Sequence, residues 1–537
     1  MSMRGHQGDE SSGSARPAPV APRRIDSNPN LATKRTDDAL REQPPAHDRN
    51  WEGETSEAAP GEPPGPRSRL SWAIDGLFMT MPALSASTPV APWQIAAPSL
   101  AVGAFAGLLL ALPDVAHLAL AALLALPFLC VVMLRVLALR EILTGRPLRV
   151  PAPALGQPVS SDDDRWPLYS LLVPLVDEVA VVPQLIKALG ALDYPASRLD
   201  ILLVLEATDM ATRNALALIN LPAHFRTIVV PASEPRTKPK ALNFALTFAR
   251  GELIVIYDAE DLPEPDQLRR AAAAFATASP DVVCLQCCLN ISPAERSFLS
   301  RQFAIEYSAL FDALLPALER LDLPVPLGGT SNHFRADRLR QAGAWDPFNV
   351  TEDADLGIRL ARLGWKVGTL PSTTWEEAPP DFGNWFRQRT RWLKGWMLTY
   401  LVHTRSLRRL GLQLGLARHI GLHVLMGGIL LSVLAYPVGL GLLAVALANG
   451  RLLAAPETDI EWWLWWATAF NFGLGFASSM LLGALAAIRR GRSWLAPWAL
   501  LMPIYWLLIS AAGYRALWKL ICDPYRWEKT RHGDGEP

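Results

Sequence analysis

Cysteine is scarce: there are five in 537 residues, and three of them fall within 284–288. That is too few, and too clustered, for a disulfide framework. Cys284-x-x-Cys287 has the spacing of half a zinc site, but Asp281 to Asn290 reads as a buried strand. On a strand, i and i+3 point to opposite faces and cannot share one ion. Net charge is also lacking. Lys+Arg and Asp+Glu number 51 each, which gives no argument for a nucleic-acid partner. The first 65 residues lack an apolar run, so no signal peptide is expected there. They are rich in Pro, Ser, Gly, Glu and Arg and are expected to be disordered. No GxGxxG or GxxxxGK[ST] loop follows a strand, which counts against a dehydrogenase or an NTPase. His419 and His423, four apart at the mouth of an apolar run, lack acidic partners and make a poor metal site.

Long apolar runs, in contrast, are abundant. Those at about 94–112 and 115–139 are each long enough to cross a bilayer, and Pro113-Asp114 between them implies a tight hairpin. Arg135, Arg140, Arg146 and Arg149 follow the second run. By the positive-inside rule, the next domain is cytoplasmic. A further run spans 420–447, an acidic loop (Glu457, Asp459, Glu461) follows, and 462–487 spans back. The segment 494–522, broken at Pro503, reads as one span, two short spans or a re-entrant hairpin. Its basic sequel favours a cytoplasmic C-terminus. Residues 70–82 suit a short helix on the membrane surface.

Between the runs, strand and helix patterns alternate. Strands are expected at 169–174, 199–206, 227–231 and 252–258, and helices at 179–192, 212–219 and 240–249. Near-continuous apolar strands alternating with helices imply a mainly parallel α/β sheet covered on both faces. Such sheets bind ligands at the carboxyl ends of their strands, where Glu206 and Asp258 fall.

Three constellations could carry chemistry. Asp258-Ala-Glu260-Asp261 puts three hard-oxygen ligands at a strand end and suits Mg²⁺ or Mn²⁺, although a solvated turn before Pro265 explains it too. Thr351-Glu352-Asp353 opens a helix. Acidic residues there complement the helix dipole, and the same dipole would keep Asp353 ionised as a general base. Gln388, Arg391 and Trp392 share one helix face within an aromatic stripe, Trp385, Trp392, Trp396 and Tyr400. The stripe alone would be a membrane-surface anchor, but an anchor requires neither the Gln nor the Arg.

In this order and between membrane runs, Asp258/Glu260, Thr351-Glu-Asp353 and Gln388-x-x-Arg391-Trp392 resemble the membrane-bound family 2 glycosyltransferases, such as cellulose, hyaluronan and poly-N-acetylglucosamine synthases. Leu-Gly-Gly-Thr-Ser-Asn332-His-Phe-Arg335 and Glu377-Ala-Pro are similar to a bacterial subgroup of phage-adsorption-protein type. The resemblance implies a GT-A-type nucleotide-sugar-binding α/β domain inserted between transmembrane helices. The expected organisation is a disordered tail at 1–66, a linker or interfacial helix at 67–93, a membrane hairpin at 94–140 and a catalytic domain at 160–382. Interfacial helices at 383–418, a membrane region at 419–523 and a cytoplasmic tail at 524–537 complete the chain.

The resemblance also implies roles. Asp177 and Glu178, with Asp177 where Asn is usual, follow the nucleotide-binding strand. Glu206 and Asp209 lie near the base or ribose, and Lys240 and Asn243 near the diphosphate. Asp258, with Glu260 or Asp261, holds a divalent metal. Glu352 and Asp353 are catalytic, Asp353 as the base. Gln388 and Arg391 serve the donor, and Trp392 and Asn332 the acceptor. Trp527, Lys529, Thr530 and His532 are similar in kind to a gating loop, or form a plain basic tail. The expected enzyme is an inverting, metal-dependent polysaccharide synthase in a bacterial inner membrane. It would use a UDP-sugar donor and a glycan or lipid acceptor, with other export subunits as partners and no nucleic acid. Single addition to a lipid carrier is the alternative, and a catalytically silent membrane receptor is the alternative of another class.

Overall fold

The structure is a computed structural model describing residues 66–88, 90–144, 166–379, 381–450 and 458–523. The tails at 1–65 and 524–537, including the suggested gating residues Trp527, Lys529, Thr530 and His532, lie outside the described residues.

The α/β domain is built on one eight-stranded sheet. Its strands are β1 (Tyr169–Leu175), β2 (Leu199–Glu206), β3 (Phe225–Val230), β4 (Leu253–Ile256), β5 (Leu262–Pro263), β6 (Val282–Ile291), β7 (Asn332–Arg335) and β8 (Lys366–Glu376). The order is β3-β2-β1-β4-β7-β6-β8-β5. β1, β2, β3 and β4 pair in parallel, as do β6 and β8, while β7 runs antiparallel between β4 and β6. The period of two divides the apolar runs between two cores. Leu172, Leu202, Ile254 and Ile256 face one, and Leu171, Val173, Ile201 and Val255 the other. Burial on both faces is why these strands read as unbroken hydrophobic runs. Cys284 and Cys287 are buried on β6. The strand order turns back between the parallel neighbours β1 and β4, and the loops that leave their carboxyl ends begin at Val176 and Tyr257. A crevice at such a switch point is where open α/β sheets take their ligands.

Among the described residues, five helices are long and apolar enough to cross a membrane, within Pro92–Ala111, Ala122–Thr144, Leu407–Ala448, Asp459–Arg489 and Ser493–Cys522. The last begins as 3₁₀ turns through Pro497 and becomes α-helical at Met502, so the ambiguous C-terminal segment is one candidate span. Basic residues at the span ends are tied to the α/β domain. Arg490 Nη2 lies 2.6 Å from Asp312 Oδ1, Arg492 Nη1 donates to Ile291 O at 2.7 Å, and Arg418 Nε donates to Asp322 O at 2.9 Å.

One helix sits elsewhere than expected. Pro66–Thr80 packs on the α/β domain rather than lying free as a membrane-surface helix. Ala73 and Leu77 are buried, and Ala73 O accepts a hydrogen bond from Asn243 Nδ2. Its apolar face has a protein partner, and Phe78 and Met79 remain as exposed large apolar side chains.

Candidate active site

The mouth of the site forms where β4 ends. Tyr257 is buried and its hydroxyl donates to Gln267 Oε1 at 2.8 Å, which anchors the start of the acidic loop. Asp261 turns inward. Its Oδ2 accepts the Asp258 N–H at 2.7 Å and the Thr330 hydroxyl, and burial pushes its carboxyl well above the usual range. Asp261 therefore braces the loop through Oδ2, while its buried Oδ1 has no hydrogen-bond partner. Asp258 and Glu260 are left facing the mouth, half-buried.

The cation that meets Asp258 is Lys238, which the sequence reading passed over. Its Nζ pairs with Asp258 Oδ1 and donates to Gly329 O at 2.9 Å. Burial lowers the Lys238 pKa, but Asp258 and Glu352 more than offset this and hold it charged. The signal was Thr237-Lys-Pro-Lys240, two lysines around a helix-starting proline. The lysine expected at the diphosphate, Lys240, has no exposure, and its Nζ lies 3.0 Å from Glu206 Oε1. Asn243 is also turned into the fold. Its Nδ2 donates to Trp345 O at 2.8 Å, and its Oδ1 accepts from Trp345 N at 3.1 Å. Both residues thus depart from the expected contact with the diphosphate, because the helix Lys238–Leu246 is buried along nearly its whole length.

Across the switch point, Asp177 adopts a left-handed φ of 52°, a conformation that Asp and Asn tolerate better than most residues. Its N–H donates to Asp209 Oδ2 at 2.7 Å, while Asp209 Oδ1 caps the helix Met210–Ala217 through Thr212 N at 3.1 Å. Glu178 N–H donates to Thr212 Oγ1 at 3.1 Å. Asp209 and Glu178 are buried and shape this turn, Asp177 is exposed beyond the end of β1, and Glu206, also buried, ends β2.

The third wall is the start of the helix Glu352–Arg362. Asp353 Oδ1 accepts the Ala354 N–H at 2.7 Å, the contact expected of an acid at a helix N-terminus. Desolvation nevertheless outweighs that bond and the nearby Lys238, and Asp353 is raised to about 6. Burial and the adjacent Asp353 raise Glu352 to about 7. The sequence suggested that the helix dipole would keep Asp353 ionised. Enclosure moves its titration close to neutrality, where a general base works best. A Cβ on Gly329 would stand 3.4 Å from Asp353 Oδ2, so this loop passes close beside the carboxylate.

The helix Phe382–Thr404 closes the site. Arg391 lies among carboxylates. Burial lowers its pKa, and Glu352, Asp258, Asp353 and Glu260 act against that. Gln388 is buried and its Oε1 has no hydrogen-bond partner. Trp392 is half-buried, near-parallel to Tyr307 at 6.5 Å and edge-on to Phe303 at 5.7 Å. Beneath it Arg389 makes two bonds to Glu306, at 2.7 and 2.6 Å, and one to the Tyr505 hydroxyl at 2.8 Å. That cluster joins the site to the last candidate span. The helix approaches closely at Gly395, where a Cβ would meet Thr351 Cγ2 at 2.4 Å.

Asn332 is not at an acceptor surface. It is buried on β7, and its Nδ2 donates to Gly328 O at 2.6 Å, bracing the Gly328–Thr330 loop. A carboxylate absent from the sequence reading takes part instead. Glu376, at the end of β8, receives the Tyr307 hydroxyl at 3.4 Å. Burial, then Glu260 and Asp258, push it up to about 8. It directly precedes the Glu377-Ala-Pro run, which was the available signal. A cavity of about 200 Å³, lined in part by Gln184, Glu260, Arg296 and Glu377, opens beside this cluster.

Two family models match the chain: "Glycosyl transferase family 2" over residues 170–331, and "Glycosyl transferase family group 2" over 253–510. The chain is 27% identical over 232 residues to the probable glycosyltransferase YdaM of Bacillus subtilis, covering 43% of this chain and 55% of that protein. It is 26% identical over 255 residues to the probable glucomannan 4-beta-mannosyltransferase 1 of Arabidopsis thaliana, covering 45% of each. It is 28% identical over 244 residues to the beta-monoglucosyldiacylglycerol synthase of a Synechocystis strain, covering 45% of this chain and 50% of that protein. The chain thus spans about half the length of the curated relatives it matches. The two matched regions together run from residue 170 to residue 510, across the GT-A-type sheet and the helices that close it, and the chain belongs to glycosyltransferase family 2.

Proposed function

We propose that this chain transfers a sugar from a nucleotide-sugar donor to an acceptor hydroxyl, with inversion, at a membrane surface. The observation that carries the reading is the meeting of Asp258, Lys238, Asp353 and Arg391, from four separate parts of the chain, at one mouth. Asp353 takes the proton of the acceptor hydroxyl as its oxygen bonds to the anomeric carbon. The anomeric C–O bond to the diphosphate breaks, and its electron pair leaves with the diphosphate. Lys238 and Arg391 are the cations facing that charge, Arg391 as a forked donor. Trp392 offers the acceptor sugar a ring face, and Asp177 and Glu206 border the nucleoside side of the crevice.

Asp258 and Glu260 fit a divalent ion. Among the described residues, no group of three or more His, Cys, Asp or Glu is arranged to hold a metal. Two carboxylates completed by substrate phosphates are the usual manner of Mg²⁺, and the hard-oxygen set suits Mn²⁺ equally. Such an ion supplies neutralisation of diphosphate charge.

The acceptor we favour is a growing polysaccharide at a bacterial inner membrane, with the domain on the cytoplasmic side and a UDP-sugar as donor. The interfacial helix beside the candidate spans supports this, as does the relative named for glucomannan. A second reading, single addition to a membrane lipid, is favoured by the relative named as a glucosyldiacylglycerol synthase. Membranes carrying the protein or Asp353→Asn, incubated with radiolabelled UDP-glucose, UDP-N-acetylglucosamine and GDP-mannose, test both. Product size separates polymer from single addition. Equal transfer by both proteins would sink the assignment of the base.

A further inference from the structure

Asp353 follows a loop, residues 343–351, that is gripped from three sides. The helix Lys238–Leu246 grips it through Asn243, bonded to both backbone groups of Trp345, and Thr237 Oγ1 donates to Pro347 O at 3.0 Å. The helix Phe382–Thr404 grips it through Thr399, whose Oγ1 accepts from Asn349 Nδ2 at 2.8 Å, and through the Gly395–Thr351 approach. The third grip comes from the segment ahead of the first candidate span. Gly343 has φ +77°, and a Cβ there would stand 2.8 Å from Leu77 Cδ1. Asp346, with no exposure, accepts the Ala86 N–H at 2.5 Å, the Ser85 hydroxyl at 3.4 Å and the Phe348 N–H at 3.0 Å. One carboxylate thus bonds the outer segment to the loop. Arg405 holds that segment in place, donating to Ala83 O at 3.1 Å, Ser85 O at 2.9 Å and Thr88 O.

We infer that Asp346 is a positioning residue for sugar transfer, and that residues 83–88, clamped by Arg405, set the loop that aims Asp353. The inference rests on Asp353 being the base. The path from clamp to base is short: Asn349 N–H donates to Asp346 O, Asn349 Oδ1 accepts the Thr351 N–H at 3.1 Å, and Thr351 begins the helix whose second residue is Asp353. A merely structural strap would add stability without setting this geometry. A positioning strap acts on turnover, because a displacement of about 1 Å at a reacting group costs about a hundredfold.

The test uses full-length Arg405→Gln, Asp346→Asn, Asp353→Asn and Arg408→Gln in native membranes, with the three radiolabelled nucleotide sugars named above. Arg408 is exposed and serves as the charge control. Arg405→Gln and Asp346→Asn are expected to lower kcat by about ten- to a hundredfold. Donor KM should stay within about twofold, the signature of a lost transition-state geometry. The thermal unfolding of Arg405→Gln and all parameters of Arg408→Gln should be unchanged. Wild-type kcat in Arg405→Gln, with Asp353→Asn inactive, overturns the clamp alone. A fall in kcat that tracks a fall in unfolding temperature also overturns it, since stability would then explain the loss. Retained activity in Asp353→Asn removes the base and the clamp's role with it. If Asp346→Asn does not accumulate in the membrane, Arg405→Gln decides by itself.

Discussion

Asp353 should lose its function on the acid side at an unusually high pH. Its carboxyl, ordinarily near 3.8, is raised to about 6 by burial. That shift favours the protonated form by about 3 kcal/mol relative to a solvated aspartate. A base acts only when deprotonated, so raising its pKa carries the loss of activity upward in pH. With a midpoint near 6, about nine-tenths of the protein is competent at pH 7 and about one-tenth at pH 5, and each further pH unit costs about tenfold. Glu352, raised to about 7 beside it, makes the limb a property of the pair, so the observed midpoint should fall between about 6 and 7. The assay is initial transfer rate at saturating donor from about pH 5 to about pH 8, with stability checked at each pH. Asp353→Asn should lower kcat by about a hundred- to ten-thousandfold and abolish the limb. An acid limb near pH 4, the ordinary aspartate range, would refute the claim that enclosure governs this carboxylate.

Three further outcomes follow from the same geometry. Lys240→Met strands Glu206 without its buried partner and should destabilise the protein by about 3–5 kcal/mol, measured by thermal or denaturant unfolding in detergent. Unchanged stability with a raised donor KM would instead return Lys240 to the diphosphate. Gly395→Ala drives a methyl into Thr351 and should cost about 1–3 kcal/mol of stability together with turnover, and a silent variant would mean the two helices are free to part. Chelation should abolish transfer, and the Mn²⁺ concentration giving half-activation should fall as donor concentration rises, because Asp258 and Glu260 need phosphate oxygens to complete a site. Tight calorimetric binding of Mn²⁺ without donor would contradict this.

Much of the α/β domain was legible because its strands are buried on both faces. An apolar run such as Leu199–Glu206 has few other places to go, and its acidic end falls at the crevice by topology. β7 escaped notice because Asn332 and His333 are polar and buried through hydrogen bonds, which hydrophobic periodicity does not register. Motif order named residues that the structure brings near one another, but not the partners of each side chain. Lys238 and Lys240 are nearly identical in sequence context. Two helix positions apart, one reaches Asp258 and the other is sealed against Glu206. Asp258 and Asp261 divide in the same way into a half-buried and a buried carboxylate.

The sequence by itself determined the class of fold, the apolar runs fit to cross a membrane and the set of acids, bases and aromatics brought to one sheet end. The fold class and the apolar runs follow from periodicity, the acidic strand ends from the switch-point rule, and the rest of the set from the family resemblance of the ordered motifs. Only the tertiary structure decided which of those groups meet solvent, which brace the loops, and that residues 66–88 grip the loop leading to Asp353. Burial and hydrogen-bond partners depend on segments far apart in the chain. Ala86 and Asp346 are 260 residues apart, and no local pattern encodes a bond of that reach.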